Sequence, residues 1–201
     1  MIGAGCTRVL GLTGSVGMGK TTAAVMLERM GVPVFAADFY VHHLLGQGGA
    51  VAAEIERIFP GTTKGGVVTR TKLAKAVFGD RDALGQLEAI LHPRVRAAEI
   101  AFIRRQNLAR TKLCVLEIPL LFETQADRLC DAVAVLTAPV FVQESRVMVR
   151  PGMTRQRLAA MRARQMTETE KAARADFLVA TGLGRRHTWG ALRAIVRTLT
   201  G

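Results

Sequence analysis

The segment over residues 8–28 constrains the fold of this chain more than any other part of its sequence. It reads RVLGLTGSVGMGKTTAAVMLE, in which an apolar run precedes a G-x-x-x-x-G-K-[ST] motif and helix-forming residues follow it. Gly14, Gly17 and Gly19 leave room for main-chain N–H groups to converge on a phosphate. The segment therefore predicts a strand, a phosphate-binding loop and a helix, and with them a nucleoside triphosphate site.

The motif suggests a role for each of its residues. We expect Lys20 to open the helix beside the β- and γ-phosphates, where the positive end of the helix dipole favours an anion. Thr21 is expected to offer its hydroxyl to Mg²⁺. The alternative is a glycine-rich turn with a chance lysine, which the flanking strand and helix argue against. The predicted ATP-binding residues are Gly14, Ser15, Val16, Gly17, Met18, Gly19, Lys20, Thr21 and Thr22.

The positive charge of the chain indicates anionic partners. Lys and Arg number 28 against 16 Asp and Glu, which gives a formal net charge of +12. Nucleic acid is one such partner, but aromatic residues make up only 5% of the chain and no nucleic-acid module is recognisable. Small polyphosphate substrates explain the charge equally well, because guanidinium groups suit phosphate oxygens.

Other sequence features bear on where the protein works. At 201 residues the chain suits one α/β domain with an insertion. Its longest apolar stretch, 132–142, is shorter than a membrane span, and its amino end does not resemble a secretion signal. Cys6, Cys114 and Cys130 lie far apart without metal-ligand spacing, so they are interpreted as free thiols. We expect a cytoplasmic protein without a membrane partner.

An acidic residue follows the second predicted strand. Gly31 is expected to cap the loop helix, and residues 32–35 to form a short buried strand. Asp38 comes directly after it. Because ligands bind beyond the carboxyl ends of parallel strands, we expect Asp38 to face the same crevice as the phosphate loop. A helix should then run to Gly46, with the adjacent His42 and His43 pointing in different directions.

The region over residues 46–110 has a helical pattern and no obvious core strand. His92 precedes Pro93, which disfavours helix at His92 and predicts a bend there. The predicted elements are a helix over 50–59, a turn over 60–66, a helix through Phe78 capped by Thr69 or Thr71, and helices over 82–91 and 93–106.

The sheet is predicted to resume after residue 110. The elements expected there are strands over 113–118, 131–136 and 175–180 and a closing helix over 188–198 with an apolar face of Leu192, Ile195, Val196 and Leu199. Between Arg146 and Arg164 the chain carries six arginines and no acid. Such self-repelling charge favours a segment that receives an anion.

Further motifs follow in order along the chain. They are LHP at residues 91–93, PLLFE at 119–123, Q-x-x-R-x-x-x-R at Gln143, Arg146 and Arg150, a later Gln165, and AD at Ala175 and Asp176. Together with the loop at 11–22 and the strand and aspartate at 31–38, this ordered set resembles the dephospho-coenzyme A kinase family. The resemblance covers almost the whole chain, whereas a phosphate loop alone says little about substrate.

The resemblance implies an α/β P-loop nucleotide-kinase fold, with a parallel sheet flanked by helices. The core would comprise residues 1–37, 111–141 and 175–201, a helical substrate-binding insertion 38–110, and a lid 142–174. The implied reaction transfers the γ-phosphoryl group of ATP to the ribose 3′-hydroxyl of dephospho-coenzyme A with Mg²⁺. Phosphoryl transfer needs positioning and charge neutralisation more than a nucleophilic side chain.

The resemblance also implies site residues. They are Lys20, Asp38 and Arg150 for catalysis, Asp38, His92, Pro119 and Leu120 for substrate binding, Arg146 and Arg150 for the lid, and Thr21 for the metal. Glu117, at a strand end, is a further candidate for holding Mg²⁺ through water, by analogy of position alone.

Three positions depart from the family pattern. Ala36 stands where many members have an aspartate, so Asp38 would act as base unaided. His42 replaces a common arginine, and Thr181 replaces an asparagine often found after the last strand. The competing functions are another small-molecule P-loop kinase, acting on a nucleoside monophosphate or a sugar acid, and a nucleotide-dependent RNA- or DNA-binding ATPase.

Overall fold

A computed structural model describes residues 7–46 and 51–201 of the chain. Cys6 and the expected start of a helix at Ala50 lie outside the described residues. The chain divides into two compact units, one of Met1–Ala36 with Ile103–Gly201 and one of Ala37–Phe102. The division into core, insertion and lid remains a prediction.

The described residues form seven strands and nine α-helices. In order they are β1 Arg8–Thr13, α1 Lys20–Arg29, β2 Val34–Ala36, α2 Ala37–Leu45, α3 Ala52–Ile58, β3 Thr63–Lys64, β4 Val67–Val68, α4 Arg70–Val77, α5 Arg81–Leu108, β5 Leu113–Glu117, β6 Ala132–Thr137, α6 Val140–Met148, α7 Arg155–Ala163, α8 Glu168–Ala173, β7 Phe177–Ala180 and α9 Arg185–Thr200.

The first unit is built on a five-stranded parallel sheet in the order β2-β5-β1-β6-β7. Its central strands are continuous apolar runs because both faces of a parallel sheet are covered. Leu10, Leu27 and Leu192 are fully buried in one cluster to which β1, α1 and α9 all contribute. The expected parallel sheet flanked by helices is confirmed. The phosphate loop follows β1, which is the central strand of the sheet.

Two aspartates align the sheet at the amino ends of its strands. Asp131 accepts the Val9 N–H through Oδ2 at 2.7 Å and donates its own N–H to the Val9 oxygen at 2.8 Å. Asp176 makes the same pair of bonds with Val133, at 2.8 and 3.0 Å. The aspartate of the AD motif therefore fixes the last strand against its neighbour.

The second unit packs its helices around a separate apolar core that includes Val51, Ile55 and Leu73. The turn expected over 60–66 is only partly correct, since β3 lies within it and pairs with β4 as a two-stranded hairpin. Gly65 and Gly66 have φ of 58° and 78°, as a type I′ hairpin turn requires. Such short strands leave almost no alternating pattern to read.

The expected helix break at His92 is wrong, because α5 runs through it with Pro93 inside. Proline cannot donate a main-chain hydrogen bond and crowds the preceding turn. The next residue, Arg94, ties this part of α5 to its preceding turn and to α3: its Nη1 donates to the Ile90 oxygen at 2.7 Å and its Nη2 to Glu54 Oε2 at 2.7 Å. No helix in the described ranges is long and apolar enough to cross a membrane.

Candidate active site

The phosphate loop begins where β1 ends, and at two of its glycines both the backbone angle and the close packing exclude a side chain. Gly14 has φ 149°, and a Cβ there would lie 2.6 Å from the Leu136 oxygen. Gly17 has φ 81°, and a Cβ there would lie 2.6 Å from Val147 Cγ2. Both glycines are needed for conformation and for close packing.

The helix after the loop starts at Lys20, as expected. The Lys20 ammonium lies 2.7 Å from the Gly14 oxygen and 3.2 Å from the Ser15 oxygen, so it folds back over its own loop. Thr21 is exposed in the first turn of α1. Because first-turn N–H groups have no partner inside their helix, this end of α1 favours an anion.

Two glutamine side chains of the predicted lid hold the main chain of Val16. Its N–H donates to Gln165 Oε1 at 3.2 Å, and its oxygen accepts from Gln143 Nε2 at 2.7 Å. The Gln143 amide is in turn oriented by Arg162 Nε, which lies 3.2 Å from its Oε1. Arg162 also pairs with Glu144 at 3.1 Å. Part of the arginine-rich segment is therefore already paired with other side chains of the protein.

Arg146 and Thr181 brace the second half of the loop. Arg146 donates to the Thr181 oxygen at 2.8 Å, to Thr181 Oγ1 at 3.0 Å and to the Gly17 oxygen at 3.4 Å. Thr181 Oγ1 also lies 2.9 Å from the Met18 oxygen. The threonine that departs from the family pattern thus ties the segment after β7 to the phosphate loop.

Arg150 is placed differently from Arg146. Residues four apart share one face of a continuous helix, but α6 ends at Met148, so the two arginines do not. Pro151 cannot continue a helix, and the N–H of Met153 closes a turn on the Arg150 oxygen at 3.1 Å. Arg150 is exposed beyond the helix end.

Three further predicted residues of the first unit lie near the carboxyl edge of the sheet. Thr13 Oγ1 donates to the Pro119 oxygen at 3.2 Å, which brings the half-buried Pro119 and Leu120 beside the end of β1. Glu117 is buried at the end of β5, where it pairs in register with Leu12. Its carboxylate supplies oxygen atoms of the kind that hold magnesium.

The remaining predicted residues lie in the second unit. Asp38 is exposed in the first turn of α2, where the helix dipole stabilises a carboxylate. It lies inside the helix, after its first residue Ala37, and is therefore not the N-cap. His92 is exposed on α5. His42 and His43 both contribute to the wall of one cavity of about 340 Å³.

The sequence prediction missed Lys171. This side chain is fully buried, with Nζ 3.2 Å from Ser15 Oγ of the phosphate loop and 3.7 Å from Glu123 Oε1. One signal was present in the sequence: α8 contains no large apolar residue, so a polar side chain has to form its inward face. That signal identifies no partner.

Cysteine and metal chemistry add little to the site. Cys114 and Cys130 are free thiols, as expected. Burial raises the pKa of Cys114 to about 12, so its thiol stays protonated and unreactive. Among the described residues, no three His, Cys, Asp or Glu side chains group as a metal site.

Known proteins resemble this chain over nearly its whole length. The family model for dephospho-CoA kinase matches residues 8–183. A dephospho-CoA kinase from Paramagnetospirillum magneticum is 57% identical over 164 residues, which cover 82% of this chain and 77% of that relative.

Solved structures share the fold. TT1252 from Thermus thermophilus matches with a TM-score of 0.83 and 33% identity, over 98% of this chain and 100% of that one. Dephospho-CoA kinase from Campylobacter jejuni matches with a TM-score of 0.67 and 23% identity, over 96% of this chain and 97% of that one. The expected P-loop nucleotide-kinase fold is confirmed.

The packing of Gly17 generates a prediction. Gly17→Ala places a Cβ against Val147 in a backbone conformation that costs about 1–2 kcal/mol for a residue with a Cβ. We expect a lower unfolding temperature and a raised KM for ATP, because the loop has to shift.

Gly31→Ala is the matched control for this prediction. Gly31 has φ 79°, and beyond its chain neighbours no atom of the described residues lies within 4 Å of the place that a Cβ would take. The control variant should therefore lose stability only. Equal KM values for ATP in the two variants would contradict the prediction.

Proposed function

This chain belongs to the dephospho-CoA kinase family, and we propose that it transfers the γ-phosphoryl group of ATP to the ribose 3′-hydroxyl of dephospho-coenzyme A. ATP-dependent phosphorylation of dephospho-coenzyme A is the last step of coenzyme A biosynthesis. The observation that carries the proposal is the glycine loop closed by Lys20 at the start of α1, in a chain that matches the family model over residues 8–183.

We propose that the loop binds the β- and γ-phosphates of ATP. The first-turn N–H groups of α1 are oriented for an anion. Lys20 now contacts two loop oxygens, and phosphate oxygens would replace these neutral acceptors with charged ones, which form stronger hydrogen bonds. Lys20 would then stabilise charge that develops during transfer.

Mg²⁺ is the proposed metal. It commonly takes one or two protein oxygens together with substrate phosphates and water. The exposed hydroxyl of Thr21 fits that role, and the buried carboxylate of Glu117 is a second candidate that would act through water. When bound, Mg²⁺ neutralises charge on the transferring phosphates.

Asp38 is the proposed general base for the 3′-hydroxyl proton. It follows β2 by two residues, and the carboxyl end of β2 lies on the same sheet edge as that of β1 because all the strands are parallel. Its exposed side chain is accessible to a substrate hydroxyl. With Ala36 in place of the acid that many members have there, Asp38 acts alone.

We propose that the two lid arginines have separate tasks. Arg146 is already bonded to the Gly17 oxygen and to Thr181, so it supports the loop that holds the donor phosphates. Arg150, exposed beyond α6, is proposed to reach the transferring phosphoryl group. Transition-state charge spreads over the oxygens of that group, where a guanidinium is most effective.

The competing functions have less support. Arg162 contacts Glu144 and Gln143, and Arg174 pairs with Asp127 at 2.7 Å, so part of the net positive charge serves internal contacts and not nucleic acid. We propose the cytoplasm as the location, because the free thiols Cys114 and Cys130 suit a reducing compartment.

An acceptor panel tests the proposed activity. ADP release with ATP and Mg²⁺ is measured for dephospho-coenzyme A, AMP, gluconate, shikimate and an oligonucleotide. We expect turnover with dephospho-coenzyme A, and Lys20→Ala should lose it while keeping the thermal unfolding curve of a folded protein. Preferential turnover of another acceptor, or a folded Lys20→Ala protein with near-normal turnover, would overturn the assignment.

The role of Asp38 is tested by Asp38→Asn. General-base catalysis contributes about 10²–10⁴-fold, so kcat should fall by about that factor while the KM for dephospho-coenzyme A changes little. A role confined to the helix dipole predicts the reverse, a stability loss of about 0.3–1 kcal/mol with activity retained. Steady-state kinetics and thermal unfolding of one variant separate the two.

The role of Arg150 is tested by comparing Arg150→Lys with Arg155→Lys, since Arg155 is a second exposed arginine of the same segment. Lysine keeps the charge but not the planar fork. A lid arginine can contribute about 10³–10⁵-fold, so we expect kcat of Arg150→Lys to fall by more than about tenfold. Arg155→Lys should match the parent enzyme. Equal turnover by both variants would show that the segment acts through bulk charge.

A further inference from the structure

Lys171 is a charged side chain in an unusual place. It is fully buried, on the short helix α8, and its ammonium lies 3.2 Å from Ser15 Oγ. Ser15 belongs to the phosphate loop and is itself only 5% exposed. A hydroxyl of the loop thus accepts a hydrogen bond from a buried cation that the proposed mechanism does not use.

The carboxylate beside Lys171 compensates its charge only in part. Glu123 Oε1 is 3.7 Å from Nζ, which is longer than a hydrogen bond, and the same oxygen accepts the Met166 N–H at 2.7 Å. Burying an ammonium is costly unless it is well paired. An anion bound in the loop would add compensating charge, so the buried ammonium favours the phosphate-bound state.

Ser15 connects Lys171 to the rest of the phosphate loop. Its main-chain oxygen accepts from the N–H of Met18 at 3.2 Å and lies 3.2 Å from the Lys20 ammonium. Lys171 fixes the side chain of the same residue. A movement of Ser15 would therefore alter the turn in the middle of the loop and the contact of Lys20.

We propose that Lys171 is a positioning residue for ATP binding. It donates to Ser15 Oγ and so holds the phosphate loop in the conformation that binds phosphate, while Glu123 orients the Lys171 side chain. The inference rests on the proposed function only in taking ATP as the ligand of the loop. Lys171 contacts the loop through the side chain of Ser15, and it takes no part in the phosphoryl transfer itself.

The expected effect follows from the population of the competent loop. When only a fraction of molecules is competent, the apparent dissociation constant rises in inverse proportion to that fraction. Loss of a hydrogen bond from a charged group predicts a rise of about tenfold or more in the KM for ATP. Once ATP is bound the loop is held by its phosphates, so kcat should change by less than about threefold and the KM for dephospho-coenzyme A should not change.

The experiment is a double-mutant cycle of Lys171→Met, Ser15→Ala and the double variant, with steady-state kinetics and thermal unfolding of each. Methionine keeps an unbranched chain of similar length without the charge. If Lys171 acts through Ser15, the double variant should have about the same KM for ATP as Lys171→Met. The surface residue Lys112 supplies the matched control, because Lys112→Met removes a lysine from the same unit and should match the parent in every constant.

Two results would overturn the proposal: an unchanged KM for ATP in folded Lys171→Met, or KM increases that multiply in the double variant. If Lys171→Met does not fold, Ser15→Ala decides alone, because it removes the acceptor and leaves Lys171 and Glu123 in place. A parent-like KM for ATP in Ser15→Ala then refutes the proposal. Either result would leave the acceptor specificity of the parent enzyme unchanged. A wrong role for Lys171 can therefore be distinguished from a wrong proposed function, which the acceptor panel tests.

Discussion

The phosphate loop must hold several main-chain N–H groups towards one anion, and much of the first unit serves that requirement. Such a backbone needs positive φ, which Gly14, Gly17 and Gly19 supply. A loop of this kind has few internal hydrogen bonds, so neighbouring elements have to stabilise it. The chain does this by packing β6 and α6 against the glycines and by bringing polar side chains to the loop from the segment that follows β6.

Features encoded by contiguous residues could be predicted from the sequence. The loop, the start of α1 at Lys20 and the central apolar strands all depend on neighbours in the chain, and the structure has them where expected. The continuous helix α5 could not be predicted, because Pro93 favours a break there and the contacts around it, such as that of Arg94 with Glu54, join residues 40 apart in the sequence. The small hairpin could not be predicted either, because each of its strands has only two residues.

The candidate site divides in the same way. The residues of the loop follow from one motif, whereas the side chains that brace it come from far along the chain. Gln143 is 127 residues from Val16, and Lys171 is 156 residues from Ser15. No periodicity or spacing connects such pairs. The family resemblance identified Gln143 and Arg146 but not Lys171. The partner of Lys171 can be identified only from the packing of α8 against the loop.

The hold on Val16 has a consequence for which sequences this fold tolerates. Gln143 and Gln165 bind the main-chain oxygen and N–H of that residue and do not read its side chain. Exchange of Val16 for another apolar residue of similar size preserves both contacts, whereas proline would remove the donor. The two glutamines have no comparable freedom, since each must present one particular polar atom. Enzymes built this way should therefore accept several apolar residues of similar size at this position of the motif, where the side chain packs with Val147 and Leu158, but only glutamine at the two sites outside it.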